Sequence, residues 1–151
     1  MNENFVNLNN SLRPNDRSEK YSNHIKQIKD DGVCPFCAEH LKKYHKNPIF
    51  KETNSWLATN NMFPYEGAKF HILFIHKKHI DNIKEITPTG WSELQEIISE
   101  VTDELKIKGG TTFIRFGDTK FTGATITHLH AHLISSDPEQ KDKPPILTRV
   151  G

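Results

Sequence analysis

The sequence predicts one α+β domain: an antiparallel sheet with a single long helix packed on it. Three observations predict that class. Between Pro88 and Lys108, the residues Trp91, Leu94, Ile98, Val101 and Leu105 recur at 3-to-4 spacing, the stripe of a helix lying on a sheet. The stretch "KFHILFIH" (Lys69 to His76) is apolar at nearly every position, as in a strand covered on both faces. The strand candidates fall in two pairs either side of the helix, each joined by a short loop, which favours antiparallel over doubly wound pairing.

Taken in order, residues 1–15 are Asn-rich and aperiodic, and read as a mobile arm ahead of a single domain over 16–151. From Asp16 to Asp31, Tyr21, Ile25 and Ile28 lie at helical spacing, and Gly32 suits a left-handed exit. "CPFC" (Cys34 to Cys37) follows as a turn, then a charged helix-prone stretch from Glu39 to Lys46, closed by Asn47-Pro48. "SWLAT" (Ser55 to Thr59) is a short strand, and "NMFPYEGA" turns the chain through Pro64 and Gly67 into Lys69–His76. Thr87 suits the N-cap of the long helix, Pro88 its first position and Gly109 its exit. "TTFIRF" (Thr111 to Phe116) and "THLHAHLIS" (Thr127 to Ser135) supply the second strand pair across the loop "GDTKFTG". The polar, Pro-rich "SDPEQKDKPP" reads as exposed loop, with "ILTRV" a last short strand or contact.

Bulk properties narrow the function classes. A composition 34% hydrophobic and 26% charged is globular, and a net charge of +1 gives no global attraction to nucleic acid or membrane. No apolar run approaches the roughly 20 residues that cross a bilayer. The first twenty residues lack a secretory h-region, so a soluble, cytoplasmic protein is expected, with no nucleic-acid or membrane partner.

Chemistry concentrates in two places. "HLHAHLI" sets His128, His130 and His132 at alternate positions, on one face if the run is a strand, with Leu129, Ala131 and Leu133 on the other. Alternate side chains stand about 6.5–7 Å apart, too far for three imidazoles to share one metal ion but well placed to divide work between a metal and a substrate. The two cysteines form one C-x-x-C turn, which suits half of a metal site or a redox pair. A thioredoxin-like motif would follow a strand, whereas this one follows a helix. His24, His40 and His45 lie on polar segments and read as solvated surface, and Lys77-Lys78 as a charged turn.

The triad and its context resemble the histidine-triad (HIT) nucleotide hydrolases and transferases across residues 33–135. Four features carry the resemblance: the triad itself, "NMFPYEG" followed by "HILFIHKKH" (Asn61 to His79), "TGAT" (Thr122 to Thr125) where the family has a small phosphate loop, and "CPFC", like the zinc-binding start of many bacterial members. The resemblance implies His130 as nucleophile on an α-phosphorus and His132 as donor to a non-bridging oxygen. It implies the Gly123 and Ala124 N–H groups as anion holders, Thr125 as a hydroxyl near the leaving oxygen, and Asn61 against the ribose. A structural zinc bound by Cys34, Cys37, His79 and His128 is implied too, with His71 and His76 as competing ligands. So are a homodimer through the long helix and its neighbouring strand, and a substrate of the dinucleoside polyphosphate or nucleoside phosphoramidate type. A nucleotidylyltransferase or phosphorylase of the same fold, or a non-catalytic zinc- or nucleotide-binding module, are the alternatives. Histidine rather than glutamine at 132 tilts the resemblance toward hydrolysis. One departure stands out. Where relatives carry an asparagine before the phosphate loop, "RFGDTK" brings Arg115 and Lys120, which would favour more anionic substrates.

Overall fold

The computed structural model describes residues 5–11 and 18–151. Residues 1–4 and 12–17, with the rest of the expected arm and the expected start of the first helix, lie outside them. The described chain forms helices α1 (Ser18–Asp31), α2 (Ala38–Tyr44) and α3 (Pro88–Glu104), with strands β1 (Ile49–Glu52), β2 (Trp56–Asn60), β3 (Ala68–His76), β4 (Thr111–Ile114) and β5 (His130–Ser136). The strands make one sheet, every pairing antiparallel, in the order β1-β2-β3-β5-β4. The α+β class and the long helix on an antiparallel sheet are as the sequence predicts.

β3 is the central strand, which explains its nearly unbroken apolar run. On one face Ile72 and Phe74 join Trp56, Ala58, Leu129, Ala131 and Leu133 against α3. On the other, Leu73 and Ile75 meet Cys34, Phe36 and Leu41 at the start of α2. His71 of β3 and His130 and His132 of β5 therefore show to the face opposite α3, while His76 at the end of β3 shows to the α3 face. Phe113 and Leu73 flank His132 in register, and Ile75 flanks His130.

α3 begins as predicted: Thr87 Oγ1 accepts the Gly90 N–H at 2.9 Å, and Pro88 sits in the first turn. It ends at Glu104, short of Lys108, where Lys106 takes a left-handed φ of 54°. Its buried face is Gly90, Leu94, Ile97 and Val101. Trp91 and Leu105, expected in that stripe, are 41% and 37% exposed. Trp56 pins this register, its Nε1–H donating to the Gly90 carbonyl at 2.8 Å. A Cβ at Gly90 would meet Ile86 Cγ2 at 3.1 Å and Thr87 Oγ1 at 3.2 Å.

Other differences have local causes. Residues 5–11, expected within a mobile arm, pack on the domain: Val6 is buried, bridges Ile126, and joins Tyr21, Ile25, Ile28 and Tyr44 in a second apolar cluster. β1 was not predicted because its side chains are mostly exposed and leave no alternation. β5 starts at His130 rather than Thr127, since the Thr127 N–H pairs with Phe5 and the Leu129 N–H with Ile80. Residues 146–150 form no strand. His45, expected on the surface, is buried; its Nε2–H donates 2.7 Å to Thr59 Oγ1, which donates to the Pro48 carbonyl. Among the described residues no helix is long and apolar enough to cross a membrane.

Candidate active site

Four ligand-type side chains converge below the triad. Gly32, with φ 66°, ends α1 and lets the chain turn into Cys34 and Cys37, the latter capping α2. His79 follows β3, and His128 precedes β5. Ligand atoms of Cys34, Cys37, His79 and His128 all lie within 4.8 Å of one another. Cys34 Sγ is 3.3 Å and Cys37 Sγ 3.8 Å from His128 Nδ1, and Cys37 Sγ is 3.4 Å from His79 Nδ1. A tetrahedral zinc with ordinary Zn–S and Zn–N bonds has S···N edges of about 3.6 Å, so the residues fit such an ion. His128 Nε2–H donates to the His76 carbonyl at 2.6 Å, which leaves the Nδ1 lone pair facing the thiols. Burial pushes the Cys34 thiol up to about 12, so a thiolate there calls for a cation beside it. His76 is elsewhere, its ring edge-on to Trp56 on the α3 side, and His71 is buried behind the cleft described next, its Nε2 2.9 Å from His132 Nδ1.

His130 and His132 project from β5 into a cleft also lined by Asn61, Gly123, Thr125 and Arg115. His130 Nδ1–H donates to the His128 carbonyl at 2.7 Å, which fixes the tautomer and leaves the lone pair on Nε2. Burial, helped by the nearby Arg115 charge and opposed by that hydrogen bond, pushes His130 down to about 4. The ring is therefore neutral at neutral pH. His132 stacks on Phe113 at 4.5 Å between centroids.

A residue that sequence reasoning did not assign to this chemistry sets the tautomer of His132. The Tyr65 backbone N–H donates to His71 Nδ1 at 3.0 Å, so neutral His71 carries its proton on Nε2. That Nε2–H donates to His132 Nδ1 at 2.9 Å, and His132 in turn carries its own proton on Nε2. These two shorter contacts set the protons against Asn61 Nδ2, 3.2 Å from His71 Nε2, and Arg115 Nη1, 3.5 Å from His132 Nε2, each a donor facing a donor; on that assignment the two central imidazoles are complementary, His130 with a lone pair on Nε2 and His132 with an N–H.

The predicted phosphate loop is built on the N-terminal segment. Asn10 Nδ2 donates to the carbonyls of Thr119, Thr122 and Ala124 at 2.9, 2.9 and 2.8 Å. Thr125 Oγ1 donates to the Asn10 carbonyl at 3.1 Å, so its proton is committed within the fold. Ala124 N–H donates to Thr122 Oγ1 at 3.1 Å and Gly123 N–H to the Val150 carbonyl at 3.0 Å. Asn61 Oδ1 accepts the Phe63 N–H at 2.9 Å, and its Nδ2 lies 3.2 Å from His71 Nε2. Asn10 left no signal in the sequence beyond one asparagine among several.

The sequence profile described as "Scavenger mRNA decapping enzyme C-term binding" matches residues 33–143. An "Uncharacterized HIT-like protein" of Helicobacter pylori is 34% identical over 70 residues, 46% of this chain and 67% of that protein. The chain belongs to the histidine-triad family. Among solved structures it is similar to a HIT family hydrolase from Clostridium thermocellum, at 30% identity and TM-score 0.54, covering 76% of this chain and 96% of that one. The fold is also that of a Zn-bound histidine triad family protein from Mycobacterium smegmatis, at 20% identity and TM-score 0.55, with coverage of 79% and 83%.

This HIT chain differs from the expected pattern at Arg115, which follows β4. Its guanidinium lies over the Phe113 ring at 4.7 Å, and Nη1 is 3.5 Å from His132 Nε2. The apolar end of the cleft is made by Tyr21, Ile25, Ile28 and Phe63.

Proposed function

We propose that this HIT protein is a nucleotide hydrolase that cleaves at the α-phosphate of a dinucleoside polyphosphate or nucleoside phosphoramidate through a nucleotidyl-His130 intermediate. Family membership makes it an enzyme of the HIT superfamily, whose chemistry is nucleotide hydrolysis or transfer. The observation that carries the finer reading is the complementary pair of imidazoles: a lone pair on His130 Nε2 beside an N–H on His132. His130 Nε2 attacks the α-phosphorus as the P–O or P–N bond to the leaving group breaks; a polyphosphate departs with the electron pair as an anion, and an amine departs with the electron pair and a proton taken from solvent. His132 Nε2–H donates to a non-bridging oxygen as charge builds there. Water then attacks the same phosphorus and loses a proton, the N–P bond breaks, and the nucleoside monophosphate leaves. The loop of Gly123, Ala124 and Thr125 faces the phosphates, and Asn61 the ribose. Tyr21, Ile25, Ile28 and Phe63 offer an apolar seat for the base.

Cys34, Cys37, His79 and His128 hold a structural zinc ion, with no ligand position left for water. Their tetrahedral spacing supports this, and a fold neighbour is described as Zn-bound. Free thiols of this kind suit a reducing, cytoplasmic setting. The exposed Trp91, with Ile98, Phe113, Ile114 and Phe116, lines an apolar depression of about 530 Å³ beside the sheet-edge strand β4, which supports a homodimer through that face.

The test is incubation with diadenosine tetraphosphate and adenosine 5′-phosphoramidate. The wild type is expected to release AMP from one or both, and mass spectrometry of acid-free quenched samples to find an adenylyl adduct on His130. His130→Ala should fall to background while still binding AMP. ADP in place of AMP in phosphate buffer would assign transfer to phosphate instead of hydrolysis. A wild type that turns over neither conjugate would make the protein a binding module.

A further inference from the structure

The C-terminal residues cross the open side of the cleft, and they use the donors that an anion would use. Arg115 Nη2 donates 2.6 Å and Nε 3.2 Å to one acceptor, the Arg149 carbonyl, and Nη2 also donates 2.7 Å to Thr148 Oγ1. The Nε/Nη2 edge of a guanidinium is the fork that grips phosphate or carboxylate, yet here it grips a neutral backbone oxygen. Beside it, the Gly123 N–H donates to the Val150 carbonyl, and a Cβ on Gly123 would lie 2.3 Å from the Arg149 oxygen. Two donors lining the cleft are thus held by two successive carbonyl groups of one segment.

That segment is lightly held. Leu147 is 53% and Val150 81% exposed, and residues 139–150 form no helix or strand. Its other anchor is Arg149 Nη1, which donates to the Asn9 carbonyl at 2.9 Å and to Asn10 Oδ1 at 3.1 Å, both in the N-terminal segment. Leu147, Thr148 and Arg149 line the same cleft as His130 and His132. With them in place the cleft encloses about 110 Å³, below the roughly 300–1,000 Å³ of ordinary ligand sites.

We propose that residues 147–150 are a displaceable strap seated in the leaving-group subsite, and that the polyphosphate chain of a nucleotide conjugate displaces it by taking over Arg115 and Gly123. The inference rests on the reading of His130 as the group that meets the α-phosphate, because that fixes which phosphates reach Arg115. The exchange has a direction. A phosphate oxygen on a guanidinium pairs opposite charges, and bidentately, where the carbonyl it replaces is a neutral acceptor. An amine leaving group offers no such oxygens and must open the strap without compensation. The strap therefore selects dinucleoside polyphosphates over phosphoramidates, and Arg115 is the residue that reads the difference.

Backbone 15N relaxation on the full chain tests the displacement without reference to turnover, because it reads the mobility of residues whose carbonyls, and not whose amides, are bonded. Diadenosine tetraphosphate should lower the {1H}–15N NOE of Arg149 and Val150, AMP should not, and inorganic tripolyphosphate should act more weakly than the dinucleotide. Equal values with and without diadenosine tetraphosphate overturn the strap, and a stronger effect of tripolyphosphate overturns its assignment to a nucleotide-borne chain. In kinetics, a chain ending at Pro145 should lower KM for diadenosine tetraphosphate by about tenfold, the cost of opening the strap, with a smaller change in kcat. Arg149→Ala, which loosens the strap at full length, should move KM the same way. The preference for the tetraphosphate over the phosphoramidate should shrink in Arg115→Met. An unchanged KM in both strap variants overturns the proposal. A chain that hydrolyses neither conjugate, yet shows the relaxation effect, refutes the hydrolase reading and leaves the strap standing.

Discussion

At the level of single residues, the site works by fixing protons. Each of the three triad rings has one nitrogen committed: His128 and His130 to backbone carbonyls, His132 to His71. The outward nitrogen of each ring is then decided by the inward one. The sequence makes the triad legible, because alternate histidines in an apolar run stand out, and the nucleophile proposed on it comes from the family resemblance. His71 was legible only as a possible metal ligand. Its actual contact joins positions diagonal to each other across β3 and β5, where His71 pairs with Ile134 and Leu73 with His132, and that register is invisible before folding. The expected consequence is specific. His71→Phe removes the acceptor of the Tyr65 N–H and frees His132 to hold its proton on Nδ1, so kcat should fall about 10–100-fold, as for loss of a general acid–base or donor role. The buried N–H left behind should cost about 1–3 kcal/mol in a denaturant melt. His71→Asn, whose shorter amide keeps an acceptor nearby, should recover more of the stability than of the kcat. Equal loss in both properties would make His71 a packing residue.

At the level of elements, periodicity located α3, β2, β3, β4 and most of β5, while it misjudged what each neighbour would do to them. α3 was predicted from its stripe, but the stripe is rotated toward Ile97, a register that Trp56 pins at Gly90. β5 loses its first residues because Phe5 and Ile80 take their N–H groups. The segment 5–11 gave no signal at all, since its apolar residues Phe5, Val6 and Leu8 have no period and its asparagines read as loop. What makes it structural is long-range: Asn10 closes three carbonyls of the loop around Thr119–Ala124, more than one hundred residues away. Asn10→Ala should therefore destabilise the fold by about 1–3 kcal/mol, the cost of leaving part-buried carbonyls unpaired. Because the same loop is the one proposed to hold the phosphates, KM should rise more than kcat falls. Thermal melts and steady-state kinetics on one preparation check both halves, and a rise in KM without loss of stability would mean that Asn10 touches substrate directly.

At the level of the whole molecule, two features join parts that are far apart in sequence. The Cys34–Cys37–His79–His128 group joins the turn before α2 to the end of β3 and the start of β5, so a metal ion held there would couple its binding to the packing of the triad strand. Metal analysis is expected to find about one zinc per chain, and Cys34→Ser to lower the melting temperature far more than it alters kcat measured at a temperature where the variant is folded. A wild type that is metal-free and equally stable would remove the zinc. The second feature is the face that α3 leaves uncovered. Its rotation leaves Trp91 exposed and Ile98 half-buried at the rim of the core, on the side of β4, the edge strand, where Phe116 is also 45% exposed. An apolar patch next to an open strand edge is a liability for a monomer, and pairing two copies covers both at once. A carboxylate buried at the centre of that contact would be unpaired and costly. Trp91→Glu should consequently convert a dimer into a monomer in light scattering at micromolar concentration, while the far-ultraviolet circular dichroism stays that of the wild type, since position 91 lies outside the monomer's core. If the wild type already runs as a monomer at those concentrations, the patch has another use and the dimer is wrong.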